Sequence, residues 1–163
     1  MGRVIQGEVI VAGAGSGPLL VTDQALSFWG GYDQLTGEII DRRHPLSGRI
    51  ATGSVLALPA SRGSSTTSAV FLEAAKAGTA PAAIITIRPD RFLALASIVA
   101  DEVFGKGIPM VAVSAADFGL LVTGTIAVVS PDGRIELGST GKVPSDETLL
   151  VLDDGHHAGR RRL

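Results

Sequence analysis

A chain of 163 residues with a formal net charge of −2 has room for one sizeable core, but lacks the concentrated cationic face that nucleic acid requires. Apolar residues make up 45% and aromatic ones only 4%, so the core must be built from Val, Ile, Leu and Ala, which suits strands sandwiched by helices. The absence of cysteine excludes disulfides, thiolate zinc sites, a cysteine nucleophile and a thiolate-held cluster within this chain, and no apolar run approaches the roughly 18–20 residues of a membrane span.

Met1-Gly2-Arg3-Val4-Ile5 runs straight into a strand pattern rather than a signal peptide, and the absence of cysteine fits an expected cytoplasmic location. Arg3 to Val11 reads as one first strand. Ala12 to Gly17 is a Gly-rich turn, and Pro18 to Thr22 returns as a second strand. The turn lacks the lysine of a phosphate-binding loop and no helical pattern follows it, so its glycines are read as hairpin or loop residues.

Leu26 to Gly37 gathers the only Trp and the only Tyr, Trp29 and Tyr32, beside the pair Gly30-Gly31. Such a loop either plugs one end of a barrel or presents a rigid apolar wall to a ligand or partner. Glu38-Ile39-Ile40 is a short strand candidate. Asp41 to Gly48 then turns the chain, with Pro45 forbidding a central ladder.

Ser54-Val55-Leu56-Ala57-Leu58 is an apolar, partly β-branched run ended by Pro59, as a buried strand would be. Ala69 to Ala77 is helical in composition and closed by Gly78. Between the two lie Ser61, Arg62, Gly63, Ser64, Ser65, Thr66 and Thr67. A strand that feeds a helix through such a loop aims free backbone N–H groups at one point, where the helix dipole favours an anion. Arg62 adds a planar donor suited to a carboxylate or phosphate. The plainer reading of the same residues is that Ser64 or Ser65 caps the helix and Arg62 sits in solvent.

Pro81 to Ile87 is a buried strand, and Asp90 caps a second helix over Arg91 to Val103, ended by Gly105-Lys106-Gly107. Ile108 to Val113 is the next strand. This alternation predicts an α/β fold with a parallel βαβ core and right-handed crossovers. Ser114 to Asp117 looks like the cap of a one-turn helix, and Thr125–Ser130, Pro131-Asp132-Gly133 and Arg134–Leu137 form a hairpin. The ends of the chain are thus β-hairpin territory flanking that core. A Gly- and Arg-rich tail with His156 and His157 follows, expected to fray or to dock on something else.

The Ser-rich loop admits three chemistries. A serine hydrolase needs a base, and the Gly-x-Ser-x-Gly elbow is absent; His44 with Asp41 could supply a relay, but nothing in the sequence places it at the loop. A phosphate- or anion-binding module would use the N–H cluster and Arg62 without chemistry. The third is half of a shared active site, where another chain brings a metal.

Gly53 to Thr66 resembles the swivel-domain signature of the aconitase X family. Leu26-Ser27-Phe28-Trp29-Gly30-Gly31-Tyr32-Asp33 with Thr36-Gly37, Asp41, His44-Pro45 and Gly48 is similar to the same small subunit, as are Gly78 to Ile85 and Gly107 to Val111. The resemblance covers residues 3 to 137. It implies a swivelling β/β/α domain over residues 1–140, with 141–163 as a partly flexible C-terminal extension.

It further implies a dehydratase small subunit that closes over a large subunit carrying iron or an iron–sulfur cluster, with no cofactor or metal ligand in this chain. The family's substrates are small hydroxy acids, cis-3-hydroxy-L-proline in bacterial members and phosphomevalonate in archaeal ones. Ser61 stands where archaeal members are expected to have glycine, which points to the bacterial branch. Ser64 is the residue carried over as proton acceptor, with Ser61, Arg62, Gly63, Ser65 and Thr66 around the substrate. Phosphomevalonate would call for more cationic groups, and Arg42, Arg43 and Arg88 are uncommitted. The chain alone is expected to be inactive, its serine loop open to solvent.

Overall fold

A computed structural model describes residues 2–62 and 65–138. The apolar run expected as one strand is two, β1 (Arg3–Gln6) and β2 (Glu8–Val11), parted at Gly7. A Cβ at Gly7 would collide with the Val111 side chain and press on the Ala112 carbonyl, so the chain passes this point only as glycine. Then come β3 (Gly15–Val21), β4 (Val55–Ala57), α1 (Ser65–Ala77), β5 (Ala83–Thr86), α2 (Arg91–Phe104) and β6 (Met110–Ala112). The one-turn α3 (Ala115–Phe118) and the hairpin β7 (Ile126–Val129) and β8 (Arg134–Leu137) complete the described fold. The expected extension at 141–163, with His156 and His157, lies outside the described residues.

The strands form one sheet in the order β1-β8-β7-β3-β4-β5-β6-β2. β3, β4, β5 and β6 run parallel, joined by the expected β4-α1-β5-α2-β6 alternation. β1 and β2 occupy opposite ends of that order yet are joined through Gly7, whose N–H donates to the Gly133 carbonyl. The sheet therefore curls nearly shut.

The expected N-terminal hairpin is not formed. β2 pairs antiparallel with β6, whereas β3 pairs with β7 through Gly15–Pro18 and with β4 through Leu19–Val21. The glycines of β3 serve close approach rather than turning: a Cβ on Gly15 or Gly17 would strike the carbonyl of Ala82 or Gly53.

Strand alternation divides the core in two. Leu20, Leu56, Ile84 and Met110 face α1 and α2, meeting Val70, Phe71, Ala74, Leu93 and Ala96. Leu19, Val55, Ala57, Ile85 and Val111 point the other way, onto Ala127, Val129, Ile135 and Leu137 of the hairpin. Parallel strands buried on both faces are what the uninterrupted Val-Leu-Ala and Ala-Ile-Ile-Thr runs encode. The result is the β/β/α layering that the family resemblance implies.

The helix signals operate as read. Asp90 caps α2, accepting from the Leu93 N–H, and Gly105 ends it in the left-handed region at φ 63°. Ser114 caps α3 by accepting from the Asp117 N–H. α1 starts four residues before the apolar pattern, at Ser65, because its first turn docks on α2: the Ser68 hydroxyl donates to the Phe92 carbonyl. Glu38–Ile40 makes bridges rather than a strand, Ile39 to Tyr32 and Glu38 to Ile50.

Candidate functional site

The loop between β4 and α1 is tied at both sides. Leu58 donates its N–H to the Ile85 carbonyl as β4 ends. Ser61 donates both its N–H, at 2.8 Å, and its hydroxyl to Oδ2 of Asp90. Arg62 donates its N–H to the Leu26 carbonyl at 2.8 Å, and Leu26 and Ser61 bridge as a parallel pair. Asp90, itself buried, thus serves α2 with one carboxylate oxygen and the loop with the other.

Of the residues expected around the substrate, Arg62 is exposed, and Ser65 and Thr66 are exposed in the first turn of α1. That turn carries no acidic side chain, so the positive end of the helix dipole is not offset there. Ser61 is half-buried, with its hydroxyl proton directed at Asp90. Gly63 and Ser64 lie outside the described residues.

Arg62 lines a cavity of about 440 Å³ with Gln24, Ala25, Asp41, Arg42, Arg43 and His44. Three arginines and one acidic residue line it. Among the described residues no acidic side chain lies within ion-pair distance of any of the three; the ion pair that does form is Arg134 with Glu136, at 3.2 Å. Ser61 lies on the other side of the loop, in a cavity of about 310 Å³ shared with Arg88, Asp90, Arg91 and Phe92. Arg42, Arg43 and Asp90 are the site neighbours that the sequence did not assign. The adjacent pair Arg42-Arg43 was visible as charge, but its meeting with Arg62 depends on pairing across the fold.

His44 is buried and structural. Its Nδ1 accepts from the Leu46 N–H at 3.1 Å, which leaves Nε2 to carry the proton toward the Gln24 carbonyl at 3.4 Å. Asp41 accepts from the Arg43 N–H rather than from the imidazole, so the two residues do not form a relay. Among the described residues no group of three His, Asp or Glu side chains could hold a metal ion, and the sequence has no cysteine. The described residues do not fit an iron site. No described helix is long and apolar enough to cross a membrane.

The aromatic loop divides its labour. Phe28 and Tyr32 are buried, with ring centroids 5.2 Å apart, and Phe28 meets Phe71 edge-on at 5.6 Å. The Tyr32 hydroxyl donates to the Thr79 carbonyl at 2.6 Å, and burial pushes its phenol well above the ordinary tyrosine range. Trp29 is 66% exposed. The plug and the outward-facing surface are therefore different residues of one loop.

A β/β/α domain that presents a basic, hydroxyl-rich strand–loop–helix junction on its surface is a swivel-type domain. Residues 4–137 match the family model of the aconitase X swivel domain, and the chain belongs to that family. It is 48% identical over 135 residues to cis-3-hydroxy-L-proline dehydratase of Pseudomonas aeruginosa, covering 83% of this chain and 23% of that protein. It is 46% identical over 104 residues to the phosphomevalonate dehydratase small subunit of Methanothermobacter thermautotrophicus, covering 64% and 75%. The fold is similar to crystalline aconitase X of Thermococcus kodakaraensis in its holo-form, with a TM-score of 0.74 at 31% identity, covering 83% of this chain and 98% of that one. The chain spans about a quarter of the length of the two cis-3-hydroxy-L-proline dehydratases it matches, 23% and 25%.

Proposed function

We propose that this chain is the small, swivelling subunit of a two-chain hydro-lyase that converts cis-3-hydroxy-L-proline to Δ1-pyrroline-2-carboxylate. The observation that carries this reading is the 48% identity to an enzyme of that name over most of the chain. Because the chain matches only 23% of that enzyme, a large subunit would supply the remainder. An iron site, as the family resemblance implies, would belong to that subunit.

In this reading Ser64 accepts the α-proton. A serine hydroxyl is a very poor base, and an α-hydrogen beside a carboxylate is a poor acid. Backbone N–H groups at the start of α1, with Arg62, would stabilise the serine alkoxide. Cationic groups paired with the substrate carboxylate would make carbanion-like charge less costly to develop. Loss of the α-proton and the 3-hydroxyl gives an enamine, which tautomerises to the cyclic imine acid.

One observation favours a second substrate. Arg42 and Arg43 beside Arg62 supply the additional cationic groups that a phosphate would call for, as in a phosphomevalonate dehydratase small subunit. A single preparation tests both readings: the chain co-expressed with a large aconitase X subunit and assayed with each acid. Turnover of cis-3-hydroxy-L-proline by the pair, and by neither chain alone, is expected. Turnover of phosphomevalonate alone would transfer the assignment to the second substrate. Ligand binding by the chain with no activity in any pairing would leave a non-catalytic anion-binding module.

A further inference from the structure

The turn that carries Arg42 and Arg43 is fixed to the loop that carries Arg62 by a continuous set of contacts. Buried His44 fastens the turn to itself through Leu46 and directs Nε2 at the Gln24 carbonyl. The Gln24 N–H is held by the Thr22 hydroxyl oxygen at 3.1 Å, which fixes the segment leading to Leu26. Leu26 pairs with Ser61 and accepts from the Arg62 N–H. Two separate stretches of the chain thereby bring three arginines to one cavity, where Asp41 is the sole acidic lining residue and one of its oxygens already accepts the Arg43 N–H.

Like charges gathered without acidic partners repel one another, and a bound anion relieves that repulsion. Guanidinium forks suit oxyanions in particular, since two parallel N–H groups match two oxygens. The volume, about 440 Å³, falls in the range of small-molecule pockets and exceeds what a single oxyanion fills. A small organic acid fits both the charge and the space.

We propose that Arg42 and Arg43 extend the Arg62 site into an oxyanion subsite that takes the carboxylate or phosphate end of a small organic acid and so selects the substrate by charge. The inference rests on the dehydratase reading for its kinetic arm only. The three arginines receive the acid group. Gln24 lines the same cavity, and a glutamine amide there could donate one further hydrogen bond.

The test compares the wild-type chain with the double variant Arg42→Gln/Arg43→Gln, each alone and each co-purified with the large subunit. In the assembled enzyme KM for the hydroxy acid should rise about tenfold or more, the size expected for lost charge-assisted contacts. Over the same comparison kcat should change by less than about threefold where the group held is a remote phosphate, whose contacts are alike in ground and transition states. It should fall as well where that group is the carboxylate beside the reacting carbon. Inorganic phosphate should inhibit the wild type competitively and the variant far less. Titration of the small chain alone with inorganic phosphate, followed by amide resonances, should move Gln24, Ala25, Arg43 and Arg62 in the wild type and not in the variant. If neither acid is turned over, the dehydratase reading fails and the phosphate titration still decides the subsite. A higher KM for cis-3-hydroxy-L-proline assigns the cavity to a carboxylate; one seen only with phosphomevalonate assigns it to a phosphate. Unchanged KM together with an unchanged phosphate response would overturn the proposal. So would a variant whose sole defect is weaker pairing with the large subunit, which would give the arginines to acidic residues of that partner.

Discussion

Ser61 and Asp90 are joined by two hydrogen bonds to a single carboxylate oxygen, from the amide and from the hydroxyl of the serine. The other oxygen of Asp90 caps α2. One side chain therefore fixes the entry to one helix and the loop that leads into the other. Loss of the cap costs about 1 kcal/mol, and loss of hydrogen bonds to a charged group costs about 1.5–3 kcal/mol. Asp90→Ala should forfeit both contributions. Asp90→Ser, which can still cap but reaches less far, should recover the first and not the second. Thermal melts give the stabilities, and hydrogen exchange at the Ser61 amide separates the two roles: it should be fast in both variants. Slow exchange at Ser61 in Asp90→Ala would show that the loop is held by something else.

Ser64→Ala, in the assembled enzyme, is expected to abolish turnover with the two chains still paired. Lost proton transfer to a positioned group typically lowers the rate about 10²–10⁴-fold. Activity within about tenfold of wild type would exclude Ser64 as the base, because so small a loss is below that range. Arg62→Ala should lower both substrate binding and rate. A variant that is only less stable, with its kinetics intact, would make Arg62 a structural residue.

Phe28 and Trp29 are neighbours in sequence with opposite environments, fully buried and 66% exposed. Phe28→Ala removes a ring packed between Tyr32 and Phe71 and should cost about 3–5 kcal/mol in the isolated chain. Trp29→Ala should stay within about 0.5 kcal/mol of wild type. Chemical denaturation of the two variants measures both values. A large loss at Trp29 would mean that the indole packs on the chain.

These contrasts show which information is local. Asp90 ahead of α2, Gly105 behind it, Ser114 ahead of α3 and Pro131-Asp132-Gly133 between β7 and β8 are short-range signals, and each acts where the sequence suggests. The break at Gly7 is not local, because what forbids a side chain there is Val111, on a strand far along the chain. The pairing of β3 with β4 and β7 was hidden for the same reason. A Gly-rich stretch reads as a turn until the carbonyls of Gly53 and Ala82 are seen against it. In the site, the type of residue at Arg62 was legible from the loop itself. Its companions Arg42 and Arg43 were not, since the Leu26–Ser61 bridge and the His44 turn bring them together only in the folded chain.

Tyr32 supplies a pH-dependent term that can be separated from the rest. Its hydroxyl donates to the part-buried Thr79 carbonyl, and burial raises the phenol above its ordinary value near 10. The folded chain therefore holds this proton more tightly than the unfolded chain does. The resulting stability is fully present below pH 10 or so and is lost as pH climbs from there toward the raised value, since the unfolded chain ionises first. Tyr32→Phe removes the titrating group and one buried donor. At neutral pH it should cost about 0.5–1.5 kcal/mol, the usual worth of such a bond. Above about pH 10 the wild type should lose stability more steeply than the variant, so the gap between them narrows. Denaturation midpoints of the two proteins, taken at matched ionic strength from neutral to strongly alkaline pH, measure this directly. Parallel curves would mean that the phenol reaches solvent before the chain unfolds.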